Sequence, residues 1–244
     1  TLSEDLVIPK QWTLVLEKGC EIDLVNKAAI ISYSPVRAKG SKEEKILIYS
    51  SDNTGQGLTI IDNYRSSLFQ NVVFSNLSTL AKYGWQLTGA VTFYQSNVFI
   101  ENCTFKNNSC EDAINLVQSN FTFSNTTVEK TFSDGLDSDF SNGTISHSIF
   151  KNTGNDCIDL SRSNVDITYC KIVNSSDKGG SGGENSIVKI ENTKINKAKI
   201  AIASKDLSVV NVSSVTVQNV DYGFVAFQKK PEFGPAKIIV TSLD

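Results

Sequence analysis

The feature that most constrains this chain is an interval of about 22 residues at which the same kinds of side chain return. Asp134 recurs as Asp156 and Asp137 as Asp159, and the step extends back to Asp112 and forward to Lys178, Ile200 and Tyr222. Three apolar tracks keep that interval. One passes through Val98/Ile100, Phe121/Phe123, Gly143/Ile145, Val165/Ile167, Val188/Ile190 and Val210/Val212. A second passes through Phe105, Val128, Phe150, Ile172, Ile195 and Val217, and a third through Ile114/Leu116, Leu136, Ile158/Leu160, Ile202 and Phe224. Apolar residues at i and i+2 mark strands with one buried face. Three such strands per repeat, with Asn and Ser between them, describe a solenoid whose turns bond only to their neighbours. A leucine-rich repeat would need its own Leu and Asn spacing and a helical segment, which the chain lacks. The prediction is a single all-β domain over residues 1–244, with about eight to ten coils. Regular coils are expected at 68–228, N-terminal coils or a cap at 1–67, and a C-terminal edge at 229–244.

Before the countable repeats, short strands are expected at Leu6–Ile8, Thr13–Leu16, Ile22–Leu24, Ala29–Ile31 and Ile46–Tyr49, with a loop at Asp52–Gly57 and a new strand from Leu58. Leu77–Leu87 is a longer excursion carrying Tyr83, Gly84 and Trp85. Gly179-Gly-Ser-Gly-Gly183 breaks the pattern, because Gly180 and Gly182 fall where other coils place large apolar residues. Burying one such side chain is worth about 1.5–3 kcal/mol. The run therefore reads as a locally weak coil, either a loop that bulges out or a replacement resembling a flexible linker.

The chain holds 23 basic and 26 acidic residues, a net charge of −3, which offers no basic footprint for nucleic acid or anionic lipid. No apolar run approaches the roughly 20 residues that cross a bilayer, and no charged-then-apolar leader precedes Thr1, so a trimmed or mature product is expected. Five cysteines (Cys20, Cys103, Cys110, Cys157, Cys170) are an odd number at spacings that fit no zinc pattern, and read as buried thiols. Eight Asn-x-Ser/Thr sequons, Asn102, Asn120, Asn142 and Asn211 among them, mostly fall at one corner of the repeat, where turn-forming Asn accounts for them.

With these tracks in place, residues 68–228 resemble the right-handed parallel β-helix superfamily of pectate-lyase-like and polygalacturonase-like proteins. Glu111-Asp-Ala-Ile-Asn115, Gly154-Asn-Asp-Cys-Ile-Asp-Leu-Ser161, Ser204-Lys-Asp206 and Phe227-Gln-Lys-Lys-Pro-Glu-Phe-Gly234 are similar to β-helix regions of bacterial surface proteins that also carry a spore-coat-kinase-like module. That resemblance implies an extracellular or cell-surface location, as a monomer or as part of a larger multidomain surface protein.

Strand alternation points Asn115, Asp137 and Asp159 outward, with Asp139 and Ser161 at the next outward step, and stacks Asp112, Asp134 and Asp156 at the adjoining corner. Stacked like charges repel, so the ladder needs protons, cations or basic partners. If a cation serves, oxygen ligands from Asp134, Asp137, Asp156 and Asp159 suit Ca²⁺ better than zinc. The resemblance to polygalacturonases implies a catalytic role for Asp134 and Asp156, because Ser133-Asp134-Gly135 and Gly154-Asn155-Asp156-Cys157 fall where those hydrolases carry Asn-Thr-Asp-Gly and Gly-Asp-Asp-Cys. One carboxyl would act as acid and another activate water.

The pattern departs from the family at three places. Asn155 replaces a carboxylate, Lys178 stands where a histidine belongs while the one histidine, His147, lies on another strand, and no Arg-x-Lys clamp follows. A lyase variant would use Lys178 as base with Ca²⁺ neutralising the product charge. Asp137, Asp159, Arg162 and Lys205 are the expected substrate-binding groups. The plainer roles are a Lys178–Asp156 salt bridge and a surface ion pair from Arg162 to Asp139 or Glu184. Three functional readings stay open: an enzyme acting on polysaccharide, a non-catalytic module binding glycan or cation, and simple turn chemistry of Asp at corners. An acidic wall favours a neutral or cation-bridged glycan unless Lys178, Lys205, Lys229 and Lys230 offset it.

Overall fold

The computed structural model describes residues 1–82 and 84–243, so Tyr83 lies outside the described residues. The chain winds through about ten turns of roughly 22 residues, without helices among the described residues. Three parallel sheets run the length of the coil stack. The first begins at Leu6–Ile8 and Ile30–Ser32 and continues through Asp112–Val117, Asp134–Asp139, Ile158–Ser161 and Lys178–Gly183 to the far end of Lys194–Lys205. The second contains Asn120–Ser124, Asn142–Ser146, Asn164–Thr168 and Ile187–Glu191, and the third Thr104–Lys106, Thr127–Thr131, Ile149–Thr153 and Lys171–Ser175. Leu58–Gln70 and Gly89–Glu101 bend around the corner from the first sheet to the second.

The N-terminal strands are members of the same ladders. Leu6–Ile8 pairs with Ile30–Ser32, which pairs with the strand from Leu58. Val36–Lys39, which the sequence reading left out, pairs with Leu14–Glu17 on one side and Leu68–Gln70 on the other. Its alternation of buried Val36 and Ala38 with outward Arg37 and Lys39 is a strand signal, but one only four residues long between Pro35 and Gly40.

The core is the stacked interior of these coils. Phe74, Phe105, Phe123 and Phe150 form a column of rings with centroids 4.7, 6.2 and 5.9 Å apart. Where the chain leaves the first sheet a buried serine ladder satisfies the backbone. Ser96 N–H donates to Ser119 Oγ (3.0 Å), Ser119 N–H to Ser141 Oγ (2.9 Å), Ser141 N–H to Ser163 Oγ (3.1 Å) and Ser163 N–H to Ser186 Oγ (3.1 Å). Buried amides are almost always paired, and here a hydroxyl from the next coil does it. The corners use left-handed backbone at Asn102, Asn125, His147, Tyr169 and Asn192, which explains both the recurrent Asn and the place of the histidine. His147 stacks on Tyr169, with centroids 5.0 Å apart, on the outside of that corner.

The glycine-rich coil does not bulge. Lys178–Gly183 is a regular strand in register with Ile158–Ser161 before it and Ile200–Ser204 after it. Gly180 and Gly182 do point inward, but Ile190, Val188 and Val210 reach into the space their side chains would take. Four of the five cysteines are buried and all are free thiols. Burial pushes the Cys103, Cys110 and Cys157 thiols up to about 12.

Candidate functional site

The first sheet's outer face carries two acidic columns, fixed by register. Asp112, Asp134 and Lys178 open their strands, Asp156 stands in the same column two residues before the strand from Ile158, and Asn115, Asp137, Asp159 and Ser181 follow three residues later. Neighbouring rungs are about 4.8 Å apart.

The first column faces inward to the ladder more than outward to solvent. Asp134 Oδ1 accepts the Asp156 backbone N–H at 2.8 Å, and Asp156 Oδ1 accepts the Lys178 N–H at 2.9 Å. Lys178 Nζ lies 3.3 Å from Asp156 Oδ1 and also donates to Asp177. Burial, and then the charge of Asp159, hold Asp156 up to about 7 despite the Lys178 ammonium. Burial, opposed by the Asp156 N–H, raises Asp134. Burial works to lower Lys178, but the hydrogen bond to Asp177 and the charges of Asp156 and Asp177 outweigh it and hold the ammonium above its usual value. Such a lysine does not offer a free base. Asp112 is buried, its Oδ2 has no hydrogen-bond partner among the described residues, and burial lifts it to about 7.

In the second column Asn115 and Ser181 are buried, whereas Asp137 and Asp159 are half-buried. Asn115 Nδ2 donates to Asp137 Oδ2 at 3.0 Å. Burial, followed by the charges of Asp112, Asp139, Asp159 and Asp134, pushes Asp137 up to about 9, so it carries a proton at neutral pH. Asp139 is raised by burial and by Glu184 and Asp159, against a hydrogen bond with Asp137. Asp159 is met from two coils away by Lys205 Nζ at 3.2 Å. The ladder is thus balanced by protons and two lysines. Asp134 and Asp156 spend an oxygen each on backbone N–H groups, and among the described residues no group of three or more His, Cys, Asp or Glu side chains converges as metal ligands do. The residues so engaged do not form the oxygen cage that Ca²⁺ takes.

Loops bound the face at both ends. Toward the N-terminus, Leu87 of the long excursion packs with Tyr33 and Ile61 against Ala29, Ile31 and Leu80, and Trp85 and Tyr94 leave an apolar cavity of about 310 Å³ with Ile61 and Leu87. Toward the C-terminus, Asp206 Oδ1 accepts the N–H groups of Lys229 (2.6 Å) and Lys230 (2.7 Å), pinning the segment that carries Phe233. The Arg162 guanidinium lies between the rings of Phe140 (5.3 Å) and Phe233 (5.4 Å). This corrects the expected ion pair of Arg162 with Asp139 or Glu184: Lys230 takes Glu184, and the planar cation stacks instead. The acidic face thus has Trp85 and Tyr94 toward its N-terminal end and the Phe140–Arg162–Phe233 stack along its corner.

The sequence matches the family described as a right handed beta helix region over residues 45–183 and again over 89–233. The chain belongs to the right-handed β-helix family. No curated protein matches it. Among solved structures, this right-handed β-helix is similar to the periplasmic alginate epimerase AlgG in a double-mutant form (TM-score 0.56, 8% identity, 99% of this chain and 77% of that one). It is also similar to the catalytic domain of a GH87 alpha-1,3-glucanase variant in complex with tetrasaccharides (TM-score 0.51, 12% identity, 99% of this chain and 65% of that one). The β-helix here thus spans less than two thirds of that glucanase chain. At these identities the likeness is one of fold.

Of the residues singled out in the sequence, the β-helix brings Asp134, Asp137, Asp156, Asp159, Lys178 and Lys205 onto one face. Arg162 borders it at the corner. Sequence reasoning missed the part played by Phe140 and Phe233 and by Gly183. The signal for the last was available, because Gly183 stands in the outward column between Ser161 and Lys205.

Proposed function

We propose that this right-handed β-helix acts on an extended polysaccharide laid along the outer face of its first sheet, with Asp137 as proton donor and Asp159 and Asp139 as the carboxylates beside it. The observation that carries the reading is the juxtaposition on adjacent rungs of Asp137, whose burial among acidic neighbours favours its protonated form, with Asp159 and Asp139, Trp85 and Tyr94 lying along the sheet and the Phe140–Arg162–Phe233 stack at its corner. A carboxyl that gives a proton beside one that stays ionised is the usual machinery of acid–base cleavage at a glycosidic bond. Two structures of similar fold belong to an alginate epimerase and an alpha-1,3-glucanase, which supports a carbohydrate substrate. A long shallow face suits a polymer, and the periplasmic alginate epimerase of similar fold favours an extracellular or cell-surface location. No helix is long and apolar enough to cross a membrane.

Relative to the sequence reading, the chemistry moves from Asp134 and Asp156 to the second column. Both first-column carboxylates are buried and engaged by backbone N–H groups of the next coil, and Lys178 is a supporting ammonium.

A second reading keeps the face and removes the catalysis. Asp134, Asp137, Asp156 and Asp159 each have a protein partner, which is what a stiff, non-catalytic glycan-binding module would show. The two separate on a panel of neutral and uronic polysaccharides, read by new reducing ends and by absorbance of unsaturated product. Turnover that disappears in Asp137→Asn supports the enzyme. Retention on a glycan-containing gel without turnover supports the module, and neither turnover nor retention overturns both.

A further inference from the structure

The second sheet's outer face has a feature that the acidic face does not explain. Two polar columns run in register along the axis: Asn97, Asn120, Asn142 and Asn164 in one, and Phe99, Thr122, Thr144 and Asp166 in the other. Together they line a concavity of about 470 Å³. Gly143 lies beneath it, at the position where neighbouring coils carry the inward-facing Phe121 and Val165. A Cβ there would lie 2.6 Å from the Phe121 ring, so the position is kept bare by close packing.

The lining is polar and largely uncommitted. Asn120 donates to Asn97 Oδ1 through its backbone N–H (2.8 Å) and Nδ2 (3.2 Å). The side chains of Asn142, Asn164, Thr122 and Thr144 make no hydrogen bond or ion pair among the described residues. Each amide offers two donors and an acceptor, and each hydroxyl a donor and two acceptors. They repeat at about 4.8 Å, the rung spacing. Phe99, 50% exposed, stands at one end as an apolar platform.

We infer that this groove is a second docking site, for a neutral, hydroxyl-rich polysaccharide chain lying parallel to the β-helix axis. A rigid row of unpaired donors and acceptors beside one ring matches vicinal hydroxyls and the C–H face of a sugar. The apolar surface is too small for the buried centre of a protein partner. Asp166 is the one charged residue of the lining, and it disfavours a polyuronate. The inference rests on the polymer class proposed above but places it on a different sheet, so the two stand or fall separately.

The test is native affinity electrophoresis of the whole chain in gels containing soluble neutral glucans or polygalacturonate. Four proteins are compared: wild type, Phe99→Ala/Thr122→Ala/Thr144→Ala, Asn142→Ala/Asn164→Ala, and Asp137→Asn/Asp159→Asn. All groove substitutions are at the surface, and thermal melts confirm folding. Wild type should be retarded by a neutral glucan more than by polygalacturonate. Both groove variants should lose about tenfold in affinity, and any loss in Asp137→Asn/Asp159→Asn should be smaller than theirs. Equal retardation of wild type and both groove variants, no retardation by any neutral glucan, or loss confined to the Asp137/Asp159 variant would overturn the groove. Turnover of a substrate at the acidic face would survive that result.

Discussion

Lys205 crosses the bare backbone of Gly183 to bring its Nζ 3.2 Å from Asp159, two coils away. The crossing is close, because a Cβ at 183 would sit 3.2 Å from Lys205 Cε, and an alanine there would make the lysine give by a few tenths of an ångström. The run that reads as a defect in the sequence thus leaves room for a distant ammonium to reach the acidic face.

Replacing Lys205 by Met should leave Asp159 partly buried without its partner. The two side chains are 10% and 25% exposed, so the loss should be about 1–3 kcal/mol, below that of a fully buried pair. Urea titrations of Lys205→Met, Asp159→Asn and the double variant measure it, and the double variant should recover part of the loss.

The inward glycines of the same coil should respond in opposite directions. A Cβ at Gly180 would meet its nearest neighbour, Ile190 Cδ1, at 3.7 Å, an ordinary contact, so Gly180→Ala should stabilise by about 0.5–1 kcal/mol. At Gly179 it would lie 2.7 Å from the Ala201 carbonyl oxygen, which cannot yield, and Gly179→Ala should destabilise by about 1–3 kcal/mol. Denaturant midpoints of the two variants check the contrast.

Ser141→Ala should cost about 1–3 kcal/mol, because the buried Ser119 N–H loses its acceptor and no water can replace it without opening the coil. Hydrogen exchange at Ser119 should quicken in the same variant.

How much of this was legible in the sequence depends on what enforces the pattern. The solenoid was, since each inward residue must meet its counterpart one coil on, and Phe105, Val128, Phe150 and Ile172 repeat the requirement in the chain itself. The acidic columns were placed by the same register. What each carboxylate does was not, because Asp134 and Asp137 are alike in sequence, and only backbone geometry gives one a neighbour's N–H and leaves the other half-open. Contacts that leap coils or join loops, such as Lys205 with Asp159 and Phe233 with Arg162, have no periodic signature at all.

Stability should fall as pH rises across the neutral range. Asp137 moves from 3.8 to about 9 on folding, and Asp112 and Asp156 from 3.8 to about 7. A raised carboxyl binds its proton more tightly in the folded chain, so its contribution is complete below the unfolded value. It is lost as pH climbs from about 4 toward the folded value, because there the unfolded chain holds fewer protons than the folded one. Melting temperatures taken between about pH 5 and pH 8 should decline, and Asp137→Asn should flatten the slope. A melting temperature that rises over that range would contradict the protonated ladder.

On the function proposed above, Asp137 serves chemistry on a polysaccharide and does not hold the coils together. This is tested by measuring, on one preparation of Asp137→Asn at pH 7.5, both the melting temperature and turnover of whichever polysaccharide the wild type processes. Asn mimics the protonated carboxyl in shape and hydrogen bonding but has no proton to give, so the account predicts an unchanged or higher melting temperature with turnover reduced at least about a hundredfold. A lower melting temperature with turnover intact would make Asp137 a structural rung and contradict the account.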